Sequence, residues 1–247
     1  MIKLERIQKP EYLSDAKILE LTETFKATGA IVWNHPDIKD ALLISSHSKC
    51  AYCECCVSEE SKYMEVEHFE YKDKYQDSVV YWPNLLPACK RCNIAKGSHD
   101  VKIEPILNPY DADPRAHISF RLYKLKGISG VGKSTIDALD LNNSERLVLR
   151  RFEVAQQVEN SISVASDRLS SYEESQTNVR KNKLFGIVGT ILQECQPQAI
   201  YSATTATAVL TNEEFLQIVE KMRVNNIWPE HLEHYLQNAL RLVLQPG

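Results

Sequence analysis

The spacing of hydrophobic residues along this chain changes period twice. Between residues 10 and 29, Leu13, Ala16, Ile18, Leu19, Leu21 and Phe25 fall mostly three or four apart, which predicts a helix stopped by Gly29. Pro36 suits a first helical position and opens a second helix near 37–45, carrying Ile38, Ala41, Leu42 and Ile44. These two helices either lie against the middle of the chain or offer a docking surface, and the pattern leaves both open. The rhythm then breaks. Pro105, Pro109 and Pro114 predict an irregular extended link, and His117 to Lys126 alternates as a strand does. After Asn143 the helical spacing returns. Val148, Phe152, Ala155, Val158, Ile162, Ala165, Leu169 and Tyr172 mark one amphipathic helix of roughly six or seven turns, with flanks too polar for a coiled coil. Further helices are predicted over 184–192 and within 201–210. Thr211-x-x-Glu214 reads as a capping box opening a helix through Met222, and Pro229 opens a last one with Leu232, Tyr235, Leu236, Ala239, Leu240 and Val243. There is no internal repeat and no low-complexity segment.

Composition narrows the class. The 43% hydrophobic content over 247 residues is that of a folded globular chain. No apolar run approaches the roughly 18 residues that span a membrane, and MIKLERIQKP lacks the apolar core of a signal peptide, so a cytoplasmic address without membrane contact is expected. Six of the seven Cys fall between positions 50 and 92, with Cys195 alone, unlike the even framework of a secreted disulfide protein. The net charge of −4 argues against a broad basic surface that grips nucleic acid unaided. Even residues 49–102 carry eight Lys/Arg against nine Asp/Glu. A chain so charged, acting on nucleic acid, would borrow attraction from a partner.

The chemistry is concentrated between Lys49 and Asp100. Cys50 and Cys53 form one CxxC, Cys89 and Cys92 a second, and two such turns supply the four thiolates of a tetrahedral Zn²⁺ site. Cys53 and Cys56 also read as CxxC, so Cys55 and Cys56 remain competing ligands. The 35 residues between the pairs exceed what a plain zinc ribbon uses. They contain Glu67-His68 and Asn84, and Asn93 follows the last Cys. Hydrolysis of a phosphodiester needs a nucleophile, a Lewis acid and help for the leaving oxygen. His68 is the side chain able to take a proton from water near neutral pH, and Glu67 and Asn93 offer hard oxygens that suit Mg²⁺ or Mn²⁺. Adjacent strand residues point to opposite faces, so Glu67 and His68 share a metal site only if the backbone bends there. Lys90, Arg91 and Lys96, just before and along the first turns of a helix, stand where a phosphate would be met. The bland alternatives are a purely structural zinc, an exposed Glu-His dipeptide, a turn asparagine and a solvated basic face.

Cys50-Ala-Tyr-Cys53, Val66-Glu67-His68, Asn84-Leu85-Leu86 and Cys89-Lys-Arg-Cys92-Asn93, with Lys96-Gly97 after them, resemble in order and spacing the HNH nuclease family in its four-Cys zinc variant. The match covers about a fifth of the chain. The resemblance implies a ββα-metal core pinned by Zn²⁺, with Glu67 and Asn93 holding a catalytic Mg²⁺ or Mn²⁺. It makes His68 the base that activates water, and Asn84 the brace of the loop presenting it. The family's commoner acidic residue is Asp; Glu67 is longer and must reposition.

Gly127-Ile-Ser-Gly-Val-Gly132-Lys133-Ser134 satisfies the GxxxxGK[ST] nucleotide-binding pattern. No apolar strand ending in a magnesium-holding Asp accompanies it, the βα repeats of an ATPase are absent, and a Gly-rich turn between strand and helix explains it equally well. Trp82-Pro83-Asn84-Leu85-Leu86 and Thr135-Ile136-Asp137-Ala138-Leu139-Asp140-Leu141-Asn142 extend the likeness to the whole chain, which resembles the PtuB type of HNH protein from Septu and retron-associated antiphage defence. That resemblance implies a PtuA-like ATPase partner and, in retron versions, a reverse transcriptase with its RNA–DNA product. The expectation is a mostly helical α+β protein with a zinc-pinned ββα-metal core embedded in it. Residues 1–48 would pack on that core, 49–108 form the nuclease module, and 109–247 form a strand and turn link with a helical partner-docking region. The substrate would be nucleic acid, with DNA favoured. The alternatives are an RNase acting on RNA such as tRNA, and a non-catalytic zinc adaptor to nucleic acid.

Overall fold

The computed structural model describes residues 1–59 and 63–246; residues 60–62, between the two CxxC pairs in sequence, and residue 247 lie outside the described residues. The chain parts into two compact units, Met1–Ile118 with Leu125–Asn142, and Ser119–Lys124 with Asn143–Gly247.

In the first unit, α1 (Asp15–Thr28) starts where Ser14 accepts from the Lys17 amide and stops at Gly29. Gly29 has φ 69° and returns its N–H to the Phe25 carbonyl, a left-handed conformation that glycine adopts without strain. Pro36 opens α2 (Pro36–Ser45), which buries Ile38, Ala41 and Leu42 and packs on the strands that follow. Strand β1 (Met64–His68) pairs antiparallel with β2 (Leu85–Cys89), Glu67 opposite Leu86 and His68 opposite Leu85. The chain leaves β2 directly into the short helix α3 (Lys90–Lys96).

The division expected after residue 108 falls after Asn142 instead, because the proline-rich link is tied back to the unit. The Leu4 amide donates to the Pro109 carbonyl at 2.9 Å, and Tyr110 lies under Arg6 with its hydroxyl 2.6 Å from Ser45 Oγ. The Leu107 amide donates to Thr135 Oγ1 at 2.8 Å. The single strand expected over 117–126 is a hairpin, β3 (Ile118–Arg121) and β4 (Lys124–Gly127). Leu122 and Tyr123 both have positive φ, the backbone of a two-residue primed turn.

Helix α4 (Gly130–Ala138) follows, with Ser129 accepting from the Gly132 amide. A Cβ on Gly132 would collide with the His117 carbonyl, and one on Gly127 with Lys133. Close packing therefore accounts for the glycines of the nucleotide-like pattern.

The second unit is helical. It contains α5 (Leu149–Glu174), α6 (Asn178–Gln193), α7 (Ser202–Leu210), α8 (Glu213–Val224) and α9 (Glu230–Leu240). The inward stripe of α5 follows the spacing from Ala155 to Tyr172. Its first turns differ from expectation: residues 144–148 form a wider π turn, which rotates the register. Arg151 is thereby buried, donating to the Tyr123 carbonyl, while Phe152 is left 39% exposed. The cap of α8 is Asn212, whose Oδ1 accepts from the Phe215 amide; Thr211, expected there, donates back to Thr207 of α7. No helix of the described residues is long and apolar enough to cross a membrane.

Candidate metal centre and catalytic cleft

The first CxxC is a knuckle closed by backbone. Lys49 pairs with Cys56 in an isolated antiparallel bridge, the Cys50 amide donates to the Cys55 carbonyl at 2.9 Å, and the Glu54 amide donates to Cys50. Pro87 turns its carbonyl out of the two-stranded sheet to accept from the Ala51 amide at 2.8 Å, which docks that knuckle on β2. The second knuckle is the start of α3, where Cys89 Sγ accepts from the Cys92 amide at 3.5 Å. The four sulfurs of Cys50, Cys53, Cys89 and Cys92 lie within 4.8 Å of one another, with Cys53 and Cys89 3.7 Å apart. Zn–S bonds of about 2.3 Å make a tetrahedron with edges of about 3.8 Å, so these four can hold a zinc ion. Cys55 contributes its carbonyl to the knuckle and its thiol also contacts Cys50, Cys53 and Cys89, whereas the Cys56 sulfur contacts Ser58.

A second centre lies at the end of β1, around an open cleft of about 390 Å³ whose walls include Trp33, Lys39, Glu65, His68, Lys72 and Asn93. The His68 imidazole packs edge-on to Trp33, ring centroids 4.6 Å apart, and its Nε2 lies 2.9 Å from the Val79 carbonyl. A carbonyl only accepts, so Nε2 carries the hydrogen and Nδ1 keeps its lone pair. Burial pushes the imidazole down to about 4, and the Lys72 and Lys96 charges push the same way, so the ring is neutral at neutral pH.

Asn84 holds the loop that carries Val79. Its Oδ1 accepts from the Glu70 amide at 2.7 Å, and its Nδ2 donates to the carbonyls of Glu70 and Ser78. Its backbone carbonyl accepts from the Phe69 amide. The same loop is tied on its other side, where Asp100 pairs with Lys74 at 2.6 Å and accepts from the Tyr75 hydroxyl.

The acidic residues divide. Asn93 Nδ2 donates to Glu65 Oε2 at 2.7 Å, on the cleft. Glu67 is set back behind that surface, 3% exposed, with its Oε1 2.6 Å from Lys96 Nζ in an ion pair that lacks hydrogen-bond alignment. Burial raises its carboxyl to about 7 against the opposing pull of Lys96. Glu65 was legible in principle: period two along β1 puts residues 65 and 67 on one face. Lys39, Lys72 and Trp33 carry no sequence signal, because separate segments bring them to the cleft.

The basic trio expected at the helix start needs correcting. Lys96 is 2% exposed and joins Glu67 to the His68 carbonyl, to which it donates at 2.8 Å, so solvent-borne phosphate does not reach it. Arg91 donates to the Leu139 and Asp140 carbonyls and to Cys92 Sγ, bracing the second knuckle. Lys90 alone is exposed.

No protein-family model and no solved structure matches the chain. Two curated relatives do. The chain is 42% identical over 249 residues to the Septu protein PtuB of Bacillus thuringiensis, covering 99% of this chain and 95% of the relative. It is 26% identical over 190 residues to the Septu protein PtuB of Bacillus mycoides (strain KBAB4), covering 64% and 60%. With nearly its whole length aligned to the first of these, the chain belongs to the Septu PtuB family.

Proposed function

We propose that the chain is a metal-dependent HNH-type endonuclease that hydrolyses nucleic-acid phosphodiester bonds, as the effector of an antiphage defence complex with a PtuA-like ATPase. The observation that carries this reading is the cleft. His68, Glu65 and Asn93 meet at the end of two antiparallel strands that run straight into a helix, beside four convergent cysteines.

His68 Nδ1 takes a proton from a water molecule as the water oxygen bonds to phosphorus and the opposite P–O bond breaks; the departing oxygen is protonated from solvent. The neutral imidazole and the Nε2–H contact to Val79 suit a base that presents Nδ1. Lys96, behind the strand, fixes the His68 backbone, and Asn84 fixes the loop that orients the ring. Glu65, Glu67 and Asn93 would hold Mg²⁺ or Mn²⁺. The donor set fits in kind: all offer hard oxygens, and Glu67, buried in its ion pair with Lys96, would exchange that ammonium for the cation. When bound, such a cation polarises the phosphate and stabilises the leaving oxygen. The acidic charge balance, and a glycine-rich turn explained by packing, favour a partner that supplies nucleotide binding.

The test is cleavage with Mg²⁺ or Mn²⁺ of duplex DNA, single-stranded DNA and tRNA, with and without the ATPase, by the unaltered protein and His68→Ala. Loss of a general base predicts a fall of about 10²- to 10⁴-fold. Cutting confined to tRNA makes the protein an RNase. No cutting under any condition, with the complex assembled, replaces the nuclease by a zinc-binding adaptor.

A further inference from the structure

We infer that Lys39 and Lys72 form the phosphate-binding wall of the cleft, so that segments on both sides of β1 complete the substrate site. This rests on the nucleic-acid reading above and deepens it by naming the groups that meet the polyanion.

The helix start that sequence offered for this task is otherwise engaged. Lys96 is buried against Glu67, and Arg91 is held by Leu139, Asp140 and Cys92. The cations that do line the cleft are Lys39, on α2, and Lys72, just beyond β1. Lys72 Nζ is 5.8 Å from the centre of the Trp33 ring and 3.6 Å from Asp73 Oδ1, a loose, part-exposed pairing that a phosphate oxygen can displace. Lys39 is half-buried, with no ion pair among the described residues. Glu65, the acidic wall of the same cleft, stands with Asn93 and His68, so one opening presents a metal-type donor group and two ammonium groups. A scissile phosphate needs this combination: hard oxygens for the cation, and fixed positive charge for the remaining phosphate oxygens. With a net charge of −4, two lysines concentrated at one cleft provide attraction that the wider surface does not.

The experiment uses the full-length zinc-loaded protein carrying His68→Ala, so that substrate is bound and not cut. Fluorescein-labelled single-stranded and duplex DNA of one sequence are titrated across a range of NaCl concentrations. Each neutralised phosphate contributes about 0.7 (single strand) to 0.9 (duplex) to the slope of log affinity against log salt. Lys39→Gln and Lys72→Gln are each expected to flatten the slope by about that amount, and the double variant by about twice it. Lys183→Gln, on the exposed part of α6, leaves the slope unchanged. Circular dichroism and zinc content confirm that each variant is folded. Slopes of both cleft variants equal to the parent's, or no binding by the parent, overturn the inference. His68-dependent cutting with unchanged slopes keeps the nuclease and removes this wall; altered slopes with no cutting keep the wall and remove the nuclease.

Discussion

The four-cysteine cluster and the cleft around His68 are built on the same two strands, yet they are held in opposite ways. The cluster converges through backbone: two short knuckles, each closed by its own amides, bring the four sulfurs to a spacing that can hold a zinc ion. The cleft converges through side chains drawn from distant segments, among them Lys39, Glu65, Lys72 and Asn93, and it is held by Asn84, Lys96 and Asp100 acting on one loop and one strand. Disturbing the cluster should therefore cost the fold of the first unit. Disturbing the cleft should cost geometry first and stability second.

The largest contrast comes from zinc. Apparent binding energies of structural Zn²⁺ run to about 10 kcal/mol or more, so chelation, or Cys92→Ser, is expected to abolish the cooperative melting of the first unit. Calorimetry with metal analysis reads this directly; an unchanged melt at zero zinc would remove the cluster from its structural role.

Next comes the buried pair behind His68. Lys96→Met leaves the Glu67 carboxylate without its cation, a change that costs about 3–5 kcal/mol where a buried pair is broken. Because the Glu67 carboxyl already sits near 7, the loss should be larger at pH 8 than at pH 6, where a proton neutralises it. The added change Glu67→Gln should recover part of the stability. Additive effects in that double-mutant cycle would show that the pair is not coupled.

Asn84→Ala removes one amide but strands the Glu70 amide and the carbonyls of Glu70 and Ser78. A loss of about 2–3 kcal/mol is expected, with zinc content unchanged and, on the proposed nuclease reading, slower cleavage as Val79 loosens. Equal loss of zinc would mean that the loop and the cluster are one cooperative element rather than two.

The smallest effect concerns the outer tie of the same loop. The hydrogen bond from Lys74 holds the Asp100 carboxyl down at about 2, below its ordinary 3.8, with Tyr75 and the Lys102 amide assisting. The unfolded chain binds that proton first as pH falls, so the stabilisation is fully present above about 4 and is lost on the way down to about 2. Asp100→Asn should be less stable at pH 6 and indistinguishable from the unaltered protein near pH 2 in denaturant titrations. A difference that persists undiminished to pH 2 would assign the effect to something other than this charge.

Sequence by itself determined what depends on short-range geometry. Two residues between cysteines let both thiolates reach one ion, so a four-cysteine cluster was legible from the spacing, while the choice of Cys50 over Cys56 as the partner of Cys53 was left to the fold. The three-four spacing from Ala155 to Tyr172 placed a helix face because helix period is a local property. Gly29 and Pro36 ended and opened helices through their own backbone preferences.

What tertiary structure decided are the assignments in which several local choices are equally good. Thr211 and Asn212 can each cap α8, and contact with α7 engages Thr211. Arg151 and Phe152 are neighbours, and the π turn before α5 selects which one is buried. Lys96 looks like an exposed helix cation until the Glu67 carboxylate beneath it is seen. Lys39 and Lys72 join one cleft only because α2 packs on the strands. Charge and burial are set by everything within a few ångströms, and most of those neighbours are far away along the chain.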